Sequence, residues 1–191
     1  MPKLHYSLTG LALLGLLACS GGGGGNSNAK ALAYTNPSGA ANDYRFVVSS
    51  GNNTNTITLE LRGPESAATR GRGINFSLSA DSSKVRFRQL DGAEYVKPIE
   101  LDNGGVFDLG RTNPRLFKSV LDGDNLHASM AQKGNSVPAN TLNGAIAAVS
   151  LQLQSGAAKG NIRLEPLEAR VLLDNGSIVP VDVKVGVLTA Q

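Results

Sequence analysis

The sequence predicts an all-β fold, an antiparallel β-sandwich of about nine strands behind a disordered N-terminal tether. Three observations predict it. Beyond Asp43, apolar residues recur at every second position in short runs. Those runs are separated by Gly, Asn and Asp, which tolerate the positive φ angles of tight turns. No stretch sustains the 3.6-residue period of an amphipathic helix, and only 126–132 offers a helical turn.

Taken in order, the chain opens with Lys3 as a positive n-region, an apolar run over 8–17, and the small residue Ala18 ahead of Cys19. This order is that of a secretory signal, and the apolar run is too short for a bilayer, which needs roughly 20 apolar residues. Leu16-Leu17-Ala18-Cys19, followed by Ser20 and the glycines 21–25, resembles the lipobox of bacterial lipoproteins. The resemblance implies cleavage between Ala18 and Cys19 and a diacylglycerol and fatty acyl modification of the Cys19 thiol and amine. Ser20, in place of an aspartate, implies the outer membrane of a Gram-negative envelope. Residues 1–18 are thus expected as a signal peptide and 19–42 as a flexible Gly/Ser/Asn linker, with too few large apolar residues to offset the entropy of ordering. The domain is expected over 43–191.

Alternation is cleanest in Ile57, Leu59 and Leu61 against Thr58, Glu60 and Arg62. Next, Ile74, Phe76, Leu78 and Ala80 oppose Asn75, Ser77 and Ser79. Lys84, Arg86 and Arg88 then alternate with Val85 and Phe87, and these two runs are expected as adjacent strands. Further strands are expected at 44–48, 116–120, 146–154, 162–164, 169–173 and 178–188. Asp102-Asn103-Gly104 and Asp174-Asn175-Gly176 read as turns, the second as a hairpin. Pro180 cannot donate to a ladder and marks an edge or a bulge.

Two segments carry a family resemblance. Gly73-Ile74-Asn75-Phe76-Ser77-Leu78-Ser79-Ala80-Asp81 and Leu116-Phe117-Lys118-Ser119-Val120-Leu121-Asp122-Gly123-Asp124, with the late Asn175-Gly176 hairpin, are similar to the pattern of cohesins. Ser79-Ala80-Asp81 holds the place of a Ser-Tyr-Asp triplet, and Ser119 to Gly123 matches a Ser-Val-x-x-Gly segment. Ala80 departs from the expected aromatic, and 95–109 reads as an insertion. The resemblance spans 43–188 and implies a cohesin-like jelly roll that is not an enzyme and binds a protein. Because cohesins share their topology with certain carbohydrate-binding modules, a polysaccharide is the alternative partner.

The composition removes several chemistries. Cys19 is the only cysteine, so no disulfide forms within the chain. His5 leaves with the signal peptide, and His127 alone cannot build a multi-histidine metal site. No Gly-x-Ser-x-Gly elbow is present for a hydrolase, and the glycines at 21–25 lack the Lys-Ser/Thr of a phosphate loop. Glu165 and Glu168, at odd spacing in a strand, are expected on opposite faces and make no glycosidase pair. A formal net charge of +3, one less after cleavage, is too small to predict a nucleic-acid partner. No cofactor is expected apart from the lipid.

Two candidate surfaces remain. Lys84, Arg86 and Arg88, with Arg70 and Arg72 upstream, predict a basic stripe for an acidic partner. The chain has no Trp, so Tyr95 is the candidate for stacking on a sugar. Asp122, Asp124 and Asn125 are a weak calcium candidate whose competing reading is a plain turn.

Overall fold

The computed structural model describes residues 28–39, 41–66, 68–88, 106–107, 115–132 and 138–191. Its strands are β1 (Leu32–Thr35), β2 (Tyr44–Ser50), β3 (Thr56–Arg62), β4 (Arg70–Ala80), β5 (Val85–Phe87), β6 (Arg115–Asp122) and β7 (Asn125–Gln132). They continue with β8 (Asn140–Thr141), β9 (Ala145–Leu153), β10 (Gly160–Ile162), β11 (Leu164–Leu173), β12 (Ile178–Pro180), β13 (Val183–Lys184) and β14 (Val187–Ala190). No helix occurs among the described residues, and the all-β sandwich expected from the alternation forms, with fourteen strands there instead of about nine because short segments such as β1, β8 and β13 also pair.

Two sheets make the sandwich. One runs β13-β2-β3-β9-β5, the other β12-β11-β4-β7-β6 with β8 pairing the start of β4, and a small sheet β1-β14-β10 closes one side. All pairings are antiparallel except that of β13 with β2. Alternating side chains from the two inner faces build the core. On β3, Ile57, Leu59 and Leu61 are fully buried, and β4 contributes Ile74, Phe76 and Leu78. Phe46 of one sheet meets Phe76 of the other edge to face, with ring centroids 5.7 Å apart at 70°. Such a pair contributes about 0.5–1.5 kcal/mol beyond its burial and locks the two sheets face to face.

Four local expectations change. Residues 126–132 form β7 rather than a helical turn. Leu126 and Met130 fit helical spacing, but Ala128 is buried between them, and β6 pairs along the whole segment through the turn at Gly123 (φ 58). The strands β4 and β5 are not adjacent. Both edges of β4 are taken, by β11 and β7, so the chain turns at Asp81, whose carbonyl accepts from Lys84 N–H and Val85 N–H. It then crosses to the other sheet and pairs with β9. The run 178–188 divides among three sheets as β12, β13 and β14. Pro180 ends β12, the edge strand its missing donor calls for.

The fourth change concerns the linker expected over 19–42. Residues 28–35 belong to the sandwich, because Asn28 bridges Ala158 and β1 pairs β14 from Leu32↔Ala190 to Thr35↔Val187. Leu32 and Tyr34 bury their side chains in the core, and that burial offsets the entropy that a Gly/Ser/Asn composition leaves unmatched. The hairpin at 174–177 forms as expected. Gly176 takes φ 84, and Asn175 Oδ1 accepts from Ser177 N–H at 3.0 Å. Cys19, Ala18, Tyr95 and the turn at 102–104 lie outside the described residues.

Candidate docking surface

Alternation that buries Ile74, Phe76 and Leu78 points Gly73, Asn75, Ser77 and Ser79 to the outer face of the six-stranded sheet. The register adds His127, Ser129 and Ala131 from β7 beside them, and Leu116, Lys118 and Val120 from β6 beyond. On the other flank stand Glu168, Arg170 and Leu172 of β11 and Ile178 of β12. The floor is therefore made of small side chains and the rims of larger ones.

Leu116, Val120 and Ile178 are exposed to 42%, 37% and 64%. Scattered exposed apolar residues need no explanation, whereas these three stand on the two edge strands of one sheet face and frame the surface between them. Between the rims lies a shallow apolar depression of about 150 Å³ lined by Gly73, Ser129, Met130, Ala131, Leu172 and Ile178 among others. It exists because Gly73 lacks a side chain. A Cβ there would come within 2.7 Å of Met130 O and 2.8 Å of the Ala131 Cβ.

A polar centre adjoins the depression. Ser77 Oγ and His127 Nδ1 are 2.7 Å apart, and Glu168 lies opposite Ser77 on β11. This is not the geometry of a nucleophile with its base and orienting acid. The carboxylate sits beside the serine, and its Oε1 is ion-paired to Arg170 Nε at 2.5 Å. Glu165 and Glu168 do share a face, contrary to their odd spacing, because the register shift between Pro166 and Glu168 inserts Leu167 as a bulge. Glu165 is engaged by Arg163 at 3.3 Å.

The basic stripe is on the other sheet. Lys84 Nζ donates to Asn161 O at 2.8 Å, and Arg86 donates twice to Gln152 Oε1, at 3.1 and 2.7 Å. Arg86 and Arg88 are exposed. Arg70 and Arg72 do not extend it. They belong to β4, where Arg70 donates to Ala139 O at 2.6 Å and Arg72 pairs with Asp174 at 2.7 Å. Asp81, before Lys84, is held below the usual carboxylate range, chiefly by the hydrogen bond from the Ser83 hydroxyl.

Asp122 and Asn125 are paired across the β6–β7 turn, and Asp124 Oδ2 accepts from Arg163 at 3.3 Å. Among the described residues no group of three or more His, Cys, Asp or Glu converges on a point where a metal would sit.

No known family model matches the sequence, and no curated protein does. Solved structures do match. The chain is similar to the sixth cohesin of scaffoldin B from Acetivibrio cellulolyticus, solved in complex with a Cel5 dockerin mutant, with a TM-score of 0.54 at 14% identity over 76% of this chain and 95% of that one. The fold is cohesin-like. A type II cohesin domain from the cellulosome of the same organism gives a TM-score of 0.54 at 13% identity, over 76% and 93% of the two chains. The CaDoc0917–CaCohA2 complex gives 0.58 at 16% identity, over 77% and 99%. At 13–16% identity the likeness is one of fold alone.

This face is not among the surfaces the sequence predicts, which are the stripe at Lys84, Arg86 and Arg88 and the residue Tyr95. The face at β4 and β7 was hidden in sequence because its residues are small and polar, and its apolar rim lies on β6 and β12, far apart along the chain. The segment 116–120 is predicted only as a strand, and its pairing with β7 is what turns Leu116, Lys118 and Val120 outward.

Proposed function

We propose that this chain is a lipid-anchored, non-catalytic docking module, and that the outer face of the six-stranded sheet captures a protein of the dockerin kind. The observation that carries this reading is the face itself, an exposed apolar rim of Leu116, Val120 and Ile178 around a floor of small residues. Large apolar side chains of a partner bury best against such a floor, where a few well-packed contacts supply most of the affinity. Solved complexes of similarly folded proteins with dockerins support the same class of partner. The lipobox-like Leu16-Leu17-Ala18-Cys19 supports attachment to an envelope membrane through acyl chains on Cys19, and Ser20 supports the outer membrane. Two or more acyl chains hold a protein stably where one does not.

A sugar-binding role fits the described surface less well. Tyr34 and Tyr44 are 4% and 8% exposed, so neither offers a ring face on which a sugar could stack. Titration calorimetry of the mature chain against a dockerin module tests the docking face. Val120→Asp with Ile178→Asp is expected to weaken binding by at least about 30-fold with an unchanged melting temperature. Undiminished affinity of that variant, or binding to a polysaccharide lost on Tyr95→Ala, refutes the assignment.

A further inference from the structure

The described chain begins at one end of the sandwich, and that end is ringed by cations. Ala29 N–H donates to Ala157 O at 2.8 Å and Asn28 bridges Ala158, so the N-terminal segment arrives beside the turn between β9 and β10. The same turn holds the start of β5, since Gln154 N–H donates to Lys84 O at 2.8 Å and Lys84 Nζ reaches Asn161 O. Lys30, Lys159 and Arg86 are exposed around this junction. The β2–β3 turn over 51–55, which also reaches it, carries no charge.

Of the carboxylates at this end, Asp81 stands beside Lys84, and Asp122, exposed where β6 closes, lies toward the six-stranded sheet. Asp81 Oδ1 accepts from Ser83 N–H at 3.0 Å and from its hydroxyl at 2.6 Å. Asp124 and Glu165 sit toward the six-stranded sheet and share Arg163. Between Cys19 and Asn28 there are only residues 20–27, a length that spans at most roughly 30 Å. With 28–35 in the sandwich, the distance between an anchor at Cys19 and this end is short.

We propose that Lys30, Lys84, Arg86 and Lys159 form a contact surface for the anionic phosphate headgroups of the membrane that holds Cys19. The proposal rests on the lipid-anchor reading above. It assigns the β5 cations to the bilayer instead of to the protein partner. Because β4 and β9 end and β7 begins at this end, the strands then rise from the membrane and the docking face looks sideways, open to a partner.

The test separates the surface from the anchor by using the mature chain with Cys19→Ser, which carries no lipid, and vesicles of phosphatidylcholine with or without phosphatidylglycerol. The parent is expected to sediment with the anionic vesicles only and to be released by salt. Each cation near an anionic surface contributes about fivefold to partitioning, so Lys30→Gln, Lys84→Gln and Lys159→Gln together should reduce it about a hundredfold. Lys184→Gln, on β13 at the far end, should leave it unchanged. Equal binding to neutral and anionic vesicles, or undiminished partitioning of a triple variant that melts as the parent does, overturns the proposal. Failure of the anchor reads out separately, as a chain with Cys19 intact that stays in the aqueous phase when envelope is extracted with detergent.

Discussion

Tyr34 is the side chain through which β1 is tied into the sandwich, and Tyr34→Phe measures that tie. Its hydroxyl accepts from Gly186 N–H at 2.6 Å and donates to Phe46 O at 3.1 Å, with the ring 4% exposed. Phenylalanine keeps the ring and strands both partners. Losing the acceptor of the part-buried Gly186 N–H costs about 1–2 kcal/mol, and the buried bond to Phe46 O adds about 1 kcal/mol. The expected loss is about 2–3 kcal/mol, which for a domain of this size lowers the melting temperature by on the order of 8 °C. Burial, partly offset by the Gly186 hydrogen bond, also raises the Tyr34 pKa above 10.0. The folded state therefore holds the phenolic proton more tightly than the unfolded chain. Stability from this source is complete below pH 10 and falls as pH rises through the raised folded value. Urea unfolding of the Cys19→Ser chain near neutrality and above pH 10 should show the loss at neutrality and a shallower alkaline decline in the variant, with Tyr44, raised by burial as well, supplying the remainder. A cost below about 0.5 kcal/mol at neutrality would refute the claim that β1 is integral to the fold.

Other outcomes follow from the same geometry. Gly186→Ala should destabilise by more than about 3 kcal/mol in a thermal melt, because a Cβ there would lie 1.8 Å from Thr35 O and force β1 away from β14. Arg45, with its side chain 9% exposed, donates to Ala41 O and Gly63 O and pairs with Glu65, which is 62% exposed. Arg45→Ala should cost about 2 kcal/mol by orphaning those carbonyls, while Glu65→Ala should cost less than about 1 kcal/mol because its charge is solvated. Equal costs in chemical denaturation would show that the ion pair, not the carbonyl contacts, dominates. Millimolar calcium should leave the melting temperature unchanged, since Asp124 is already paired to Arg163. A rise would restore the turn at 122–125 as a cation site.

Which strands exist was mostly legible, and which strands touch was not. The strict alternation of Ile57, Leu59 and Leu61 admits one inward face, and β3 has it. Asn175-Gly176 encodes its hairpin locally. By contrast, 126–132 satisfies both helical and extended spacing, and only the partner strand β6 decides between them. The separation of β4 from β5 depends on β11, a strand more than eighty residues later. A bulge at Leu167 reverses the faces that odd spacing assigns to Glu165 and Glu168, and bulges are set by the register of both neighbours.

The candidate site shows the same division. Lys84, Arg86 and Arg88 were visible as a period-two run, and the structure places Arg86 exposed on β5 with Lys84 and the exposed Arg88 flanking that strand. Their proximity to the N-terminal junction comes from the Asn28–Ala158 bridge across the whole domain. The docking face is assembled from Gly73, Ser77, Ser129, Leu116 and Ile178, residues unremarkable singly in sequence.

By itself the sequence determined what is local: the extended period, the tight turns and the lipobox-like order of Leu16-Leu17-Ala18-Cys19. Tertiary structure decided the membership of each sheet, the inclusion of 28–35 in the domain, and the outer face that gathers Leu116, Val120 and Ile178. The physical reason is that side-chain direction along a strand follows from steric pleating within a few residues, whereas strand partners are chosen by long-range competition for free edges and buried area.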